Sequence, residues 1–212
     1  MTEIPAATAF VTLEEIRAAA SRIAPIARVT PLVDVSGPAG RPLYLKAESL
    51  QPAGAFKIRG AYNMVAQLDP TRRAAGVITY SSGNHGQAMA LAARTLGAPA
   101  VVVMPTTAPK VKVEGARAFG AEIILTGTTS ADRRARAEAE ASSRGLTMVP
   151  PFDHEWIIAG QGTAGLEILD QCPNVAAVLV PIGGGGLAAG VAAAIKQSRP
   201  DVKIIGVEPT GA

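Results

Sequence analysis

Strand and helix alternate through the middle of this chain with a regularity that few architectures accept. Gly76–Tyr80, Ala100–Met104, Glu122–Thr126 and Thr147–Val149 are short apolar runs of strand length. Helical stretches lie between them, starting near Asn84, Pro109 and Ser130. Strands joined by connections of helix length pair in parallel, because a tight hairpin is not there to reverse the chain. The pattern therefore predicts an α/β fold, an open parallel sheet covered by helices.

The flanks extend the pattern. Thr12-Leu13-Glu14-Glu15 has the form of a capping box ahead of an alanine-rich helix. Leu43–Ala47 alternates like a strand. A helix is predicted from near Lys57 to about Leu68, with Pro70 as its stop. Pro109 suits a first helical turn. Ser130 and Asp132 suit the start of the next helix, whose run Arg133 to Glu140 reads as a solvated face. Past Pro150 come a helix from about Trp156 to Asp170, a strand Ala176–Val180, a helix Leu187–Gln197 and a strand Lys203–Val207. Residues 53–147 thus read as one small βα domain, and 1–52 with 148–212 as parts of a second, larger one.

Bulk properties close off several functions. Of the 212 residues 48% are hydrophobic, ample for a core, but aromatics are 4%, so that core is built from Ala, Val, Leu and Ile. The net charge of +3 has no basic cluster interleaved with aromatics, which argues against a nucleic-acid partner. Cys172 is the one cysteine, so an intrachain disulfide is excluded, and no Cys/His spacing suggests a metal. The N-terminus lacks the basic and apolar regions of a signal peptide. Gln171–Ile195 carries no charge and is long enough to span a bilayer, but Pro181 and four consecutive glycines break it. The reading is a cytoplasmic protein with no membrane partner.

Three features carry chemistry. Lys57 stands where a glycine-containing loop turns into a helix, a place for an amine held still and partly neutral so that it can attack a carbonyl. Ser81-Ser82-Gly83-Asn84-His85-Gly86 is a strand-to-helix turn with more hydroxyls, amides and glycines than capping alone needs, and it can bind a carboxylate. Gly183–Gly186 stand between an apolar strand and an apolar helix. Successive glycines let backbone N–H groups converge, and the helix adds the positive end of its dipole, which makes an anion cradle. The spaced Gly-x-Gly-x-x-Gly fingerprint of a dinucleotide fold is absent. A lysine nucleophile, a polar turn and an anion cradle together suggest a phosphate-bearing aldehyde, pyridoxal phosphate. Taken singly, His85 and His154 read as packing or hydrogen-bonded residues.

These stretches resemble the fold-type II pyridoxal-phosphate family, whose architecture is two open-sheet αβα units of the tryptophan synthase β kind. Within it they are most similar to threonine and serine dehydratases and serine racemases. The matching runs are Glu48–Pro52, Phe56–Ala61, Ser81–Gln87, Ile158–Thr163, Gly183–Leu187 and Val207–Pro209, and the resemblance covers the chain from about Leu13 onward. It implies that Lys57 bonds the cofactor and later moves the Cα proton. It implies that Phe56 packs near the cofactor ring and that Asn84 hydrogen-bonds the ring hydroxyl. Gly183, Gly184, Gly185, Gly186 and Leu187 would hold the phosphate, and Ser81, Ser82, Gly83, Asn84 and His85 the substrate carboxylate. Ser82 would be the second acid/base of a racemase, on the face opposite the lysine. The implied reaction turns L-threonine or L-serine into a 2-oxo acid and ammonia.

Family members continue well past the Val-Glu-Pro strand, so the 212 residues are expected to be a fragment with an incomplete second unit. The group facing the pyridine nitrogen, any regulatory domain and a partner carboxylate for a metal at Glu208 would lie beyond Ala212, and no metal is assigned. A full-length form is expected to be a homo-oligomer. Cysteine synthases are a rival within the same cofactor class, but Ile58 and His85 stand where those enzymes usually carry Asp and Thr. A non-catalytic cofactor-binding fragment is the rival from a different class.

Overall fold

The computed structural model describes residues 11–81 and 83–211. The elements are α1 (Leu13–Ile23), β1 (Leu32–Asp34), α2 (Ser36–Ala39), β2 (Tyr44–Lys46), α3 (Lys57–Ala66), α4 (Pro70–Ala75), β3 (Val77–Tyr80), α5 (Asn84–Thr95) and β4 (Ala100–Met104). There follow α6 (Lys110–Ala118), β5 (Glu122–Leu125), α7 (Ser130–Arg144), β6 (Thr147–Met148), α8 (Glu155–Gln171), β7 (Ala177–Pro181), α9 (Gly186–Ser198) and β8 (Lys203–Val207). Two short 3-10 turns, Glu48–Leu50 and Pro52–Gly54, lead into α3.

Four strands form a parallel sheet in the order β5-β4-β3-β6. The two-residue period of a strand sorts its side chains onto two covered faces. Val77, Val102 and Met104 pack with the alanines of α5, whereas Ile78, Val101 and Val103 pack with Ala137 of α7. The alanine-rich composition lets α5 lie close to the sheet. β7 and β8 form a separate parallel pair, and β1 and β2 an antiparallel one.

α8 is the axis of the remainder. It is apolar nearly all round and buried from Ile157 to Gly165, as a helix enclosed by others must be. It crosses α3 and α9 on glycines. A Cβ at Gly160 would lie 2.6 Å from the Arg59 carbonyl oxygen and 2.6 Å from Gly60 Cα. One at Gly162 would lie 2.8 Å from the Gly190 carbonyl, and one at Gly190 would lie 2.5 Å from Gly162 N and overlap the Ile158 carbonyl. These are backbone-to-backbone contacts with no side-chain layer to yield. Gly190→Ala is therefore expected to destabilise toward the upper end of the range of about 1–3 kcal/mol for overpacking, read as a lowered urea midpoint.

The α1 capping box is present as predicted: Thr12 N donates to Glu15 Oε2 at 2.7 Å and Glu15 N donates to Thr12 Oγ1 at 3.2 Å. Local differences from the sequence reading have physical reasons. Pro70 does not stop a helix but opens α4, with Asp69 as the cap, because proline fits the first turn where its missing N–H costs nothing. Pro109 takes the cap position of α6. Thr129, not Ser130, caps α7, with Asp132 closing the box. Arg133 is buried, its guanidinium donating to Thr128 O and Ser130 Oγ, so the run to Glu140 is not solvated from its first residue. No helix among the described residues is long and apolar enough to cross a membrane. The uncharged stretch is the end of α8, then β7, the glycine loop and most of α9.

Candidate active site

Lys57 is the first residue of α3. The approach is a forced turn: Ala53 and Gly54 both have left-handed backbones, at φ 62° and 71°. Alanine in that region costs about 1–2 kcal/mol. The turn is held by the buried Gln51, whose carbonyl accepts from Gly54 N at 2.8 Å. Its side chain clips the Arg28 backbone at 2.9 and 2.7 Å. Lys57 Nζ donates to the Pro151 carbonyl at 2.6 Å and lies 5.2 Å from the centre of the Phe56 ring. Burial lowers the amine from the ordinary lysine value to about 8. At pH 7 roughly one such amine in ten is neutral, against roughly one in three thousand for an ordinary lysine. A nucleophilic lysine needs that change.

The segment that receives Lys57 runs from Val149 to Phe152, between β6 and α8. Val149 N donates to Ile78 O at 2.8 Å. Its carbonyl accepts from Thr79 Oγ1 at 2.7 Å and lies 3.2 Å from His85 Nε2. His85 is 3% exposed. Burial, and after it repulsion from Lys57, lowers its pKa to about 3, so the imidazole is neutral. Facing a carbonyl, Nε2 must carry the proton, which leaves Nδ1 a buried acceptor without a partner among the described residues.

The same segment reaches the tetraglycine. A Cβ at Gly184 would overlap the Phe152 ring, and one at Gly186 would lie 2.8 Å from the Phe152 carbonyl oxygen. Gly185, at φ 83°, is the left-handed cap of α9. Nothing stands within 4 Å of where side chains at Gly183 or Gly185 would project. Two of the four glycines are thus needed to seat Phe152, and Gly185 is needed for the turn. The N–H groups of Gly183, Gly184 and Gly185 donate to no described residue, and they precede the positive end of α9. Backbone donors with no described partner at a helix N-terminus suit a phosphate. Together with a neutralisable amine they fit pyridoxal phosphate.

The Ser81–His85 turn is partly engaged within the protein. Ser81 N donates to Val103 O at 3.0 Å, and Ser81 Oγ accepts from Gly83 N at 3.1 Å. Gly83, not a serine, is the cap residue of α5. Asn84 is exposed and accepts from Lys112 Nζ at 2.7 Å. Ser82 lies outside the described residues. The structure therefore brings Lys57, Phe56 and His85 together and ties the glycine loop to them through Phe152. It gives Asn84 a surface partner on α6. No metal-holding group of acidic, His or Cys side chains occurs among the described residues, and Glu208 is exposed after β8.

A second cluster lies two residues along α3. Arg59 is fully buried and spends its guanidinium on two carboxylates. Glu48 accepts from Nε at 2.7 Å and Nη2 at 2.8 Å, and Glu167 from Nη1 at 2.6 Å and Nη2 at 2.9 Å. Thr163 and the Arg28 carbonyl take the rest. Lys46 pairs with Glu167, and Thr30 donates to Glu48 at 2.6 Å. Sequence reasoning quoted Arg59 within a motif and gave it no role, and it missed Val149–Phe152. The available signals were an arginine inside an otherwise apolar helix face and the rigid Pro150-Pro151 pair between a strand and a helix.

Relatives share this arrangement of chain. L-threonine dehydratase of Pasteurella multocida is 46% identical over 191 residues, 89% of this chain and 37% of the relative. L-threonine ammonia-lyase of Geobacter sulfurreducens is 50% identical over 173 residues, 82% of this chain and 43% of the relative. The chain thus spans about two fifths of the length of these relatives. Among solved structures, maize serine racemase superposes with a TM-score of 0.93 at 40% identity, over 95% of this chain and 62% of that one. The processed form of threonine deaminase isoform 2 from Solanum lycopersicum gives 0.90 at 39% identity, over 100% and 62%. The family described as pyridoxal-phosphate dependent enzymes matches residues 23–212, the stretch that holds Lys57, the Ser81–His85 turn and the glycine loop, and this chain belongs to that family.

Proposed function

We propose that this chain carries the reacting residues of an ammonia-lyase that converts L-threonine, and L-serine, to the 2-oxo acid and ammonia. The observation that supports the reading most is Lys57: a half-buried amine brought to about 8, seated on a rigid segment that also touches the anion cradle. Pyridoxal phosphate, when bound, supplies a sink for the electron pair left at Cα. Gly183–Gly186 and Leu187 would hold its phosphate through backbone N–H groups, with Phe56 and Asn84 as the side chains that would hold its ring. The Ser81–His85 turn would hold the substrate carboxylate. Lys57 Nζ, in its neutral form, would take the Cα proton. The β-hydroxyl then leaves as water, and hydrolysis of the product releases ammonia.

The division into 53–147 and the two flanking stretches belongs to this reading, as do a cytoplasmic location, homo-oligomeric assembly of the full-length protein and no nucleic-acid partner. The alternative is a serine racemase-type activity, inversion at Cα with Ser82 as the second acid/base; the threonine dehydratase relatives support the lyase better. The test is direct. The full-length protein with cofactor is given L-threonine and L-serine, and 2-oxo acid release is followed. Formation of 2-oxobutanoate and pyruvate is expected, and absence of both refutes the lyase reading. Chiral analysis of remaining serine separates the racemase, which Ser82→Ala would silence while elimination continues.

A further inference from the structure

The Val149 carbonyl receives two donors from two different elements, Thr79 Oγ1 from β3 at 2.7 Å and His85 Nε2 from α5 at 3.2 Å. Both donors are buried, Thr79 fully and His85 at 3% exposure. Its N–H is fixed as well, on Ile78 O. Two residues on, the Pro151 carbonyl takes Lys57 Nζ, and the next residue, Phe152, lies over Gly184. Pro150 and Pro151 each have a fixed φ, so little freedom separates the held carbonyl from the one that meets the amine. One donor satisfies a buried carbonyl, and here both lone pairs are used, the second by an imidazole whose other nitrogen has no partner among the described residues.

We propose that Thr79 and His85 are positioning residues for Lys57, clamping the Val149–Phe152 segment so that it shields the amine from water and holds it against the Pro151 carbonyl. His85 suits this place because its neutral ring donates without adding a cation beside the lysine. The other charged cluster on α3 adds no net charge either, since Arg59 and Lys46 are balanced by Glu48 and Glu167. The inference rests on the reading of Lys57 as the reacting amine, but its geometry involves protein atoms alone.

The test is the pH profile of competitive acetylation at Lys57 in cofactor-free protein, read by mass spectrometry. The wild-type midpoint is expected near 8. Thr79→Val, which keeps the shape and removes one donor, and His85→Phe, which removes the other, are expected to move the midpoint upward by a pH unit or more as water reaches the amine. His85→Gln keeps an N–H at similar reach and is expected to restore it. Val101→Ala, on the sheet face turned toward α7, loses stability generally and is expected to leave the midpoint in place. An unchanged midpoint in both Thr79→Val and His85→Phe overturns the proposal. If His85→Phe does not fold, Thr79→Val alone decides. A wild type that forms no coloured adduct with pyridoxal phosphate would count against the functional reading while leaving this titration intact.

Discussion

Lys57→Ala is expected to abolish covalent cofactor attachment and to cut turnover of the full-length enzyme by at least about 10³–10⁴-fold, since one amine provides both the bond and the base. Borohydride reduction followed by mass analysis checks it; cofactor still fixed by reduction in the variant would refute the assignment. The variant is expected to fold. Burial lowers the wild-type amine to about 8, against an ordinary value of 10.5 when unfolded. Between those pH values the unfolded chain binds the extra proton, so wild-type stability from this group rises with pH. The penalty of carrying a desolvated charge is full below pH 8 and gone above 10.5. Lys57→Ala should accordingly gain most relative to wild type below pH 8, with the difference fading as pH climbs to 10.5. Urea titrations at pH 7 and at pH 10 measure that sign.

Arg59→Leu is expected to cost about 3–5 kcal/mol at pH 7, because it takes from Glu48 the cation it is paired with and leaves Glu167 with Lys46 alone. In the wild type, burial pushes the Glu48 carboxyl up, but the hydrogen bonds and charge of Arg59, with Thr30 and Gln51, outweigh it and hold the group below the ordinary carboxylate value. That stability is present above the unfolded pKa and is lost as pH falls through the folded one. Without Arg59 the lowering is left to Thr30 and Gln51, and burial moves the folded pKa of Glu48 upward. The variant's deficit should shrink on acidification toward pH 4–5, where Glu48 takes up a proton. Arg59→Lys should rescue little, since one ammonium cannot replace a planar fork bonded to both acids. Equal urea midpoints for wild type and Arg59→Leu at pH 7 would sink this account.

Much of the frame was legible because it rests on short-range signals. Thr12 and Glu15 sit three apart, and the apolar runs at 100–104 and 203–207 are bracketed by prolines, so local chemistry alone marks them. The lysine and the tetraglycine could be seen for the same reason. What could not be seen depends on pairs distant in the chain. Phe152 meets Gly184 with its ring and Gly186 with its backbone, so two glycines that read as ligand contacts are also shaped by a residue 32 and 34 positions earlier. Arg59 meets Glu167 across 108 residues, and no periodicity announces such a bond. Pro70 misled because proline ends one helix and begins another with equal ease, and only the side chain of Asp69, bonded to Arg72 N at 2.9 Å, decides which.

The glycine crossings of α8 bear on how a lineage of such proteins changes over time. The amine sits at the start of α3 and the anion cradle at the start of α9, and each helix rests on α8 through main-chain atoms. Main-chain dimensions are the same whatever the neighbouring side chains are. Drift among the valines, alanines and isoleucines elsewhere can therefore accumulate without altering the span between amine and cradle. Inheritance of the reaction is decoupled from turnover of the core. On the proposed function, substitutions in the Ser81–His85 turn can change which substrate is held while the span from Lys57 to the glycine loop stays as it is.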